Sequence, residues 1–226
     1  MDNFNSRKDF LNHLSNFVTE KRKSLIEEIL DFRTRYLTVV LEDIYQSQNA
    51  SAVLRTCECL GLQDVHIVEQ ENKFSVNRNI VKGASKWMDI YRYDKSDTNN
   101  IKYCITSLKE KGYKICATSP HEGAYELNEF EPDGKTAFLL GHEKHGLSDQ
   151  AIEMADFSIK IPMYGFTESF NLSVSGALIL YDCIQKLKNR KVDFYLSETE
   201  KEEIRYKWYK MSYSKSDLLE KEFFKT

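Results

Sequence analysis

Five side chains in three separate stretches have the types and spacing to do chemistry: Asn49 with Arg55, Glu143, and Ser169 with Asn171. Asn49 and Arg55 flank the start of a helix rich in small and apolar residues. A guanidinium there either pairs with a carboxylate or takes up a phosphate through its planar fork of donors. Asn49 alone reads equally well as the cap of that helix. Glu143 lies in Gly141-His-Glu-Lys-His-Gly146, where glycines directly after a strand let the backbone approach a ligand closely. Ser169 and Asn171, with Glu168, crowd a polar turn between two apolar elements, as a site that wraps a polar ligand in backbone groups requires. No Gly-x-Gly-x-x-Gly or Gly-x-x-x-x-Gly-Lys-Ser/Thr pattern occurs, so neither a dinucleotide fingerprint nor a phosphate loop is supported. His142 and His145 lack a third His or Cys at useful spacing, and no metal is expected.

The elements that must carry these residues alternate. Leu25, Ile26, Ile29 and Leu30 repeat at helical spacing. Leu37–Leu41 has strand character, Val53, Cys57 and Leu60 mark a helix stopped by Gly61, and 65–68 is a strand. The polar span 69–79 reads as loop, and 82–87 is ambiguous. A helix over 101–111 closed by Gly112, a strand over 114–118 and a loop-rich stretch to Gly134 follow. Thr136–Leu140 is continuously apolar, as a strand buried on both faces should be. Ser148 is placed to cap a helix through Ala155. The last elements are a strand over 158–161, a helical stripe of Val174, Ala177, Leu178, Tyr181 and Ile184, and a terminal helix bearing Ile204, Trp208 and Met211. This alternation predicts an α/β fold with a mostly parallel sheet flanked by helices, plus N- and C-terminal helical extensions. The three chemistry-bearing stretches then fall at the C-terminal ends of strands, where open α/β sheets bind ligands.

With 30% charged and 41% hydrophobic residues, the 226-residue chain reads as globular rather than disordered. It has no apolar run of spanning length and no signal-peptide pattern, so neither a membrane partner nor secretion is expected. Five cysteines without a Cys-x-x-Cys pair point to a reducing cytoplasm. The net charge of −3 hides an asymmetry: residues 1–35 balance at +1 and 186–226 at +3, which leaves the centre at −7. A phosphate-binding surface is therefore expected to draw on the ends.

In chain order, three segments resemble the motifs of the SPOUT-class RNA methyltransferases, specifically the TrmH (SpoU) family. They are Asn49-Ala-Ser-Ala-Val-Leu-Arg-Thr-Cys-Glu-Cys-Leu-Gly61, Phe138-Leu-Leu-Gly-His-Glu-Lys-His-Gly-Leu-Ser148, and Ile161-Pro-Met through Ser169-Phe-Asn-Leu-Ser-Val174. The likeness extends to the Thr19-Glu-Lys-Arg-Lys helix, to Ala84-Ser-Lys-Trp87 and to the Trp208 helix. It implies methylation of the ribose 2′-hydroxyl of a tRNA D-loop guanosine (guanosine 18) from S-adenosylmethionine, without a metal. It also implies a homodimer and a deep trefoil knot over about 136–190. The domain boundaries expected are a tRNA-binding extension over 1–35, a methyltransferase domain over 36–190 and a helical extension over 191–226.

Carried over residue by residue, the resemblance makes Arg55 the catalytic arginine, supported by Asn49, Glu143, Ser169 and Asn171. Thr118, Gly141, Ile161, Met163, Phe170 and Leu172 would wall the cofactor pocket. Because the centre is acidic, Arg7, Lys8, Lys21, Arg22, Lys23, Arg33 and Arg35, with the C-terminal lysines, are expected to supply much of the RNA affinity. Two departures fall at the pocket edge: His145 stands where relatives often have tryptophan, and Phe170 where leucine is common. The competing readings are the same reaction on 23S ribosomal RNA or the tRNA wobble ribose, a non-catalytic RNA-binding protein of this fold, and a nicotinamide-dependent enzyme.

Overall fold

A computed structural model describes residues 2–74, 83–119 and 123–225 of the protein. The expected loop over 69–79 and the ambiguous 82–87 lie partly outside them, as does part of the loop-rich stretch before Gly134.

The chain divides into two compact units, one of residues 34–194 and one of 1–33 with 195–226. The larger unit is built on seven strands: β1 (Leu37–Glu42), β2 (Asp64–Val68), β3 (Asp89–Tyr93), β4 (Lys114–Thr118), β5 (Tyr125–Glu126), β6 (Thr136–Leu140) and β7 (Phe157–Lys160). Their order is β3-β2-β1-β6-β4-β7-β5, and every pairing is parallel. The central strands β1 and β6 are buried along their whole length, which is why Thr136–Leu140 reads as a continuous apolar run.

The period of two sorts their side chains to opposite faces. Val39, Leu41, Phe138 and Leu140 face a core completed by α3 (Ser47–Cys59) and α6 (Leu172–Asn189), through Val53, Leu54, Ile179 and Leu180. Val40, Ala137 and Leu139 face the other core, closed by α4 (Asn100–Glu110) and α5 (Asp149–Met154), through Ile101, Ile105, Leu108 and Ala151. Full burial of a side chain such as Leu41 stabilises by about 1.5–3 kcal/mol. From β1 the chain builds outward through β2 and β3, then crosses to build the other half beside β6. The order therefore reverses between β1 and β6, and such a reversal opens a crevice at the strands' C-terminal ends.

The smaller unit packs α1 (Asp2–Ser15) and α2 (Glu20–Leu30) with α7 (Glu198–Ser212) and α8 (Ser216–Phe223). Phe10, Leu14, Ile26, Leu30, Ile204 and Trp208 are buried. Thr19 caps α2, and Ser197 with Glu200 closes a capping box on α7. Arg205 holds Glu27 in a two-pronged pair, with both distances 2.7 Å.

Two expectations are corrected here. Arg33, assigned to the RNA surface, is 1% exposed, with its guanidinium 5.6 Å from the centre of the Trp208 ring. Arg35, assigned likewise, is held in the larger unit by Asp64 at 3.2 Å and Asp89 at 3.0 Å. Both are structural cations. The helical stripe on α6 is present but mostly outward: Val174, Leu178 and Tyr181 are exposed and Ile184 is buried, and the core face is made by Ile179, Leu180, Cys183, Ile184 and Leu187.

Candidate active site

A cavity of about 610 Å³ opens at the C-terminal ends of β4, β6 and β7, beside the first turn of α3. Its walls bring together Thr118, Gly141, Ile161, Met163, Phe170 and Leu172 with Asn49, Glu143, Ser169 and Asn171. Leu140, Ile159 and Ile179 supply further apolar wall. Arg55 is not among the lining residues. It lies on an exposed face of α3, about 9 Å further along the helix axis than Asn49.

The loop after β6 folds back on itself as a tight hairpin. His142 and Gly146 exchange backbone hydrogen bonds of 2.9 and 2.8 Å, and Gly146 takes a left-handed φ of 71°. A Cβ on Gly141 would lie 2.3–2.4 Å from backbone atoms of Gly146 and Leu147, so only glycine allows this closure. The hairpin presents Glu143 to α3. Its Oε2 accepts from the Tyr45 N–H at 3.0 Å; Oε1 accepts from the Gln46 N–H at 3.1 Å and from Asn49 Nδ2 at 2.8 Å. Gln46, the residue at the cap position of α3, makes no side-chain cap of its own. Glu143 therefore serves as the cap from another loop, with its negative charge at the positive end of the helix. Burial pushes the Glu143 carboxyl up, but the Asn49 hydrogen bond and the backbone N–H groups outweigh it and hold the carboxyl below the ordinary value.

Asn49 relays this order to the third stretch. Its Oδ1 accepts from Asn171 Nδ2 at 3.2 Å, while Asn171 Oδ1 accepts from the Ser173 N–H at 2.9 Å and caps α6. Of the two alternatives left open for Asn49, the geometry does not favour the cap. Asn49 stands inside the first turn of α3, and its amide bridges two other loops. Glu143, Asn49 and Asn171 form one hydrogen-bonded line through all three stretches.

Sequence reasoning did not single out Glu42, the last residue of β1. It is 3% exposed, and its carboxylate accepts from Ser148 Oγ at 2.6 Å and from the Ser148 N–H at 3.0 Å. Burial raises this carboxyl above its ordinary value, the two Ser148 hydrogen bonds oppose the rise, and Asp43 adds to it. A carboxylate from the first stretch thus holds the second, and one from the second holds the first. Next to Glu42, Asp43 adopts a left-handed φ of 50°, and its Oδ1 gathers the N–H groups of Gln70, Glu71 and Asn72 at 2.8–3.0 Å. An acidic residue followed by a loop was the only signal for either role.

Residues 36–181, well over half the chain, match the model of the SpoU rRNA methylase family. The chain belongs to the SpoU methylase family. It is 44% identical over 197 residues to a tRNA (guanosine(18)-2'-O)-methyltransferase of Borreliella burgdorferi, a match covering 87% of this chain and 88% of that one. It is 37% identical to the Thermus thermophilus protein of the same description, over 75% of this chain and 86% of the relative. Among solved structures, the TrmH/SpoU tRNA-modifying enzyme of A. aeolicus superposes with a TM-score of 0.76 at 30% identity, covering 85% of this chain and 96% of that one. The hydrogen-bonded line described above therefore joins the three stretches that carry the SpoU methylase resemblance. No group of three or more potential metal ligands occurs among the described residues. Nor is any helix there long and apolar enough to cross a membrane.

Proposed function

We propose that this SpoU methylase transfers a methyl group from S-adenosylmethionine to the ribose 2′-hydroxyl of the D-loop guanosine of tRNA, in the cytoplasm. The observation that carries this reading is the line Glu143–Asn49–Asn171 at the rim of a cavity in a chain so close to tRNA guanosine-2'-O-methyltransferases. The residues present fit the methyl donor. The cavity has the size of a small-molecule site, its apolar walls suit an adenine ring, and Glu143 and Glu168 offer carboxylates to a cationic ligand. Thr118, Gly141, Ile161, Met163, Phe170 and Leu172 would hold it. When bound, S-adenosylmethionine supplies an activated methyl group for in-line displacement.

The protein's task is then to orient a ribose hydroxyl and make it more acidic. Arg55 is the exposed cation of the first motif. A guanidinium does not give up its proton at working pH. Arg55 therefore engages a substrate phosphate and favours the developing alkoxide over the hydroxyl without acting as the base; the hydroxyl proton passes to solvent, and the thioether S-adenosylhomocysteine would be the leaving group. Asn49, Glu143 and Asn171 hold the loops around the reacting centre, and Ser169 faces it from the third motif.

We infer a homodimer in which the site is completed near the interface. Two observations support this: Arg55 stands off the cavity wall, and α6 carries the exposed apolar residues Val174, Leu178 and Tyr181. We also infer the deep trefoil knot over about 136–190. It is supported by β7 lying between β4 and β5, and by Lys186 on the following helix donating to the carbonyls of Leu127, Asn128 and Phe130. On this reading the basic surface for tRNA comprises Arg7, Lys8, Lys21, Arg22 and Lys23, with Arg33 and Arg35 removed. The test is incubation of the full chain with labelled S-adenosylmethionine and unmodified tRNA, followed by mapping of the 2′-O-methyl position. Label at the D-loop guanosine is expected. Label at the wobble ribose alone, in ribosomal RNA alone, or nowhere overturns the assignment.

A further inference from the structure

The hairpin after β6 does more than carry Glu143. Its two histidines and Tyr45 form a run of rings: Tyr45 and His142 have centroids 5.9 Å apart at 34°, and His142 and His145 are 4.9 Å apart at 46°. His142, Lys144 and His145 line the cavity, and Tyr45 is 68% exposed beside it. The middle ring is fixed in place. His142 Nδ1 accepts the N–H of Lys144 at 3.0 Å and of His145 at 3.4 Å. Nothing in the core requires these rings, because exposed aromatic surface on a loop contributes little to stability.

We propose that Tyr45, His142 and His145 form a stacking platform for a nucleobase of the RNA substrate, with Lys144 between the histidines meeting the adjoining phosphate. This inference rests on the proposed reaction. The base is bonded directly to the ribose whose hydroxyl must reach the cavity, so it has to come to rest within a few ångströms of the cavity rim. Enzymes that act on a nucleotide in a structured RNA draw it out of its stack and must replace the lost stacking with their own rings. A flat ring also tolerates any base, so the platform supplies affinity and orientation and leaves base choice to hydrogen bonds elsewhere.

Direct binding keeps the test independent of catalysis. The probe is a tRNA carrying the fluorescent base 2-aminopurine in place of the D-loop guanosine, titrated with the full chain. Stacking quenches this base. Wild type is expected to bind it and quench it. Tyr45→Ala and His145→Ala should each weaken binding roughly tenfold, in line with base–aromatic stacking, and lose most of the quenching. The affinity of Tyr45→Ala for S-adenosylmethionine alone should stay within about twofold of wild type, because Tyr45 does not line the cavity. His145→Trp should restore both binding and quenching, which a role through the imidazole charge would not allow. Both native residues are exposed, so the alanine variants are expected to remain folded. Unchanged binding and quenching in both alanine variants would overturn the proposal, as would failure of tryptophan to rescue or absence of any quenching by wild type. Should wild type quench the probe but transfer no methyl group to normal tRNA, the platform stands and the reaction assignment falls.

Discussion

Glu143→Gln isolates the contact that joins the three stretches. The side chain keeps its size but loses its charge and one acceptor. Turned with its NH2 toward Tyr45, the amide loses the 3.0 Å bond from that N–H while its oxygen still meets Gln46 and Asn49. The opposite orientation loses two bonds, so the first is favoured. A hydrogen bond to a charged group contributes about 1.5–3 kcal/mol and a neutral one about 0.5–1.5 kcal/mol. One bond is lost and two are weakened; with a discount for solvent at this open rim, about 1.5–3 kcal/mol remains. Loss of the charge at the start of α3 adds roughly 0.3–1 kcal/mol to the stability deficit. At about 1.4 kcal/mol per decade, kcat should fall roughly ten- to hundredfold while the chain stays folded. The assay is single-turnover methyl transfer to saturating tRNA, alongside calorimetric binding of S-adenosylmethionine and thermal denaturation. A rate within about twofold of wild type in the folded variant would refute the idea that Glu143 organises the site.

Arg55→Ala should abolish methyl transfer and leave S-adenosylmethionine affinity within about twofold, since Arg55 is absent from the cavity wall; retained activity removes its assigned role. Gly141→Ala should lose cofactor binding and several degrees of melting temperature, because the new Cβ meets backbone at 2.3–2.4 Å; a normal titration would count against the hairpin geometry. Ser148→Ala takes one hydrogen bond from the buried Glu42 carboxylate and the cap from α5, and should cost about 1.5–5 kcal/mol in all. The pH sign follows from the raised folded value of Glu42, which makes its charge unfavourable to folding above that value. The deficit should therefore be largest at higher pH and shrink as pH falls through the raised value toward the ordinary carboxylate range, as read by denaturant unfolding across pH. Leu178→Asp on the exposed face of α6 should shift the chain to monomer in sedimentation and reduce methyl transfer with it; an unchanged mass would remove that face from the interface.

Periodicity and caps exposed the sheet's centre and little of its edges. The unbroken apolar run 136–140 and Ser148 as a cap are local properties, and the structure has both. Strand β3 escaped notice because Asp89-Ile-Tyr-Arg-Tyr mixes charge with apolar residues, and its Arg92 partner Glu69 lies at the end of β2. The two-residue β5 is too short to carry any period. Charge counting put Arg33 and Arg35 on the surface because it cannot see partners such as Asp64 and Asp89, which only folding brings near. On α6 both faces are apolar, so the 3.6-residue period could not tell which one meets the core. At the site, residue types were legible and their connections were not. Asn49 taken alone read equally well as a cap, because its partners Glu143 and Asn171 are 94 and 122 residues away.

A helix whose cap is borrowed from 97 residues downstream cannot be finished when it is made. As the chain emerges during synthesis, the N–H groups of Tyr45 and Gln46 at the entry to α3 must wait for their carboxylate until β6 has taken its place beside β1 and the hairpin has formed. Local helix contacts form early and distant pairings late, so the site should be among the last parts of the larger unit to order. It should also be among the first to open in native-state hydrogen exchange. A truncated or misassembled chain could then keep much of its sheet and still have no reactive centre.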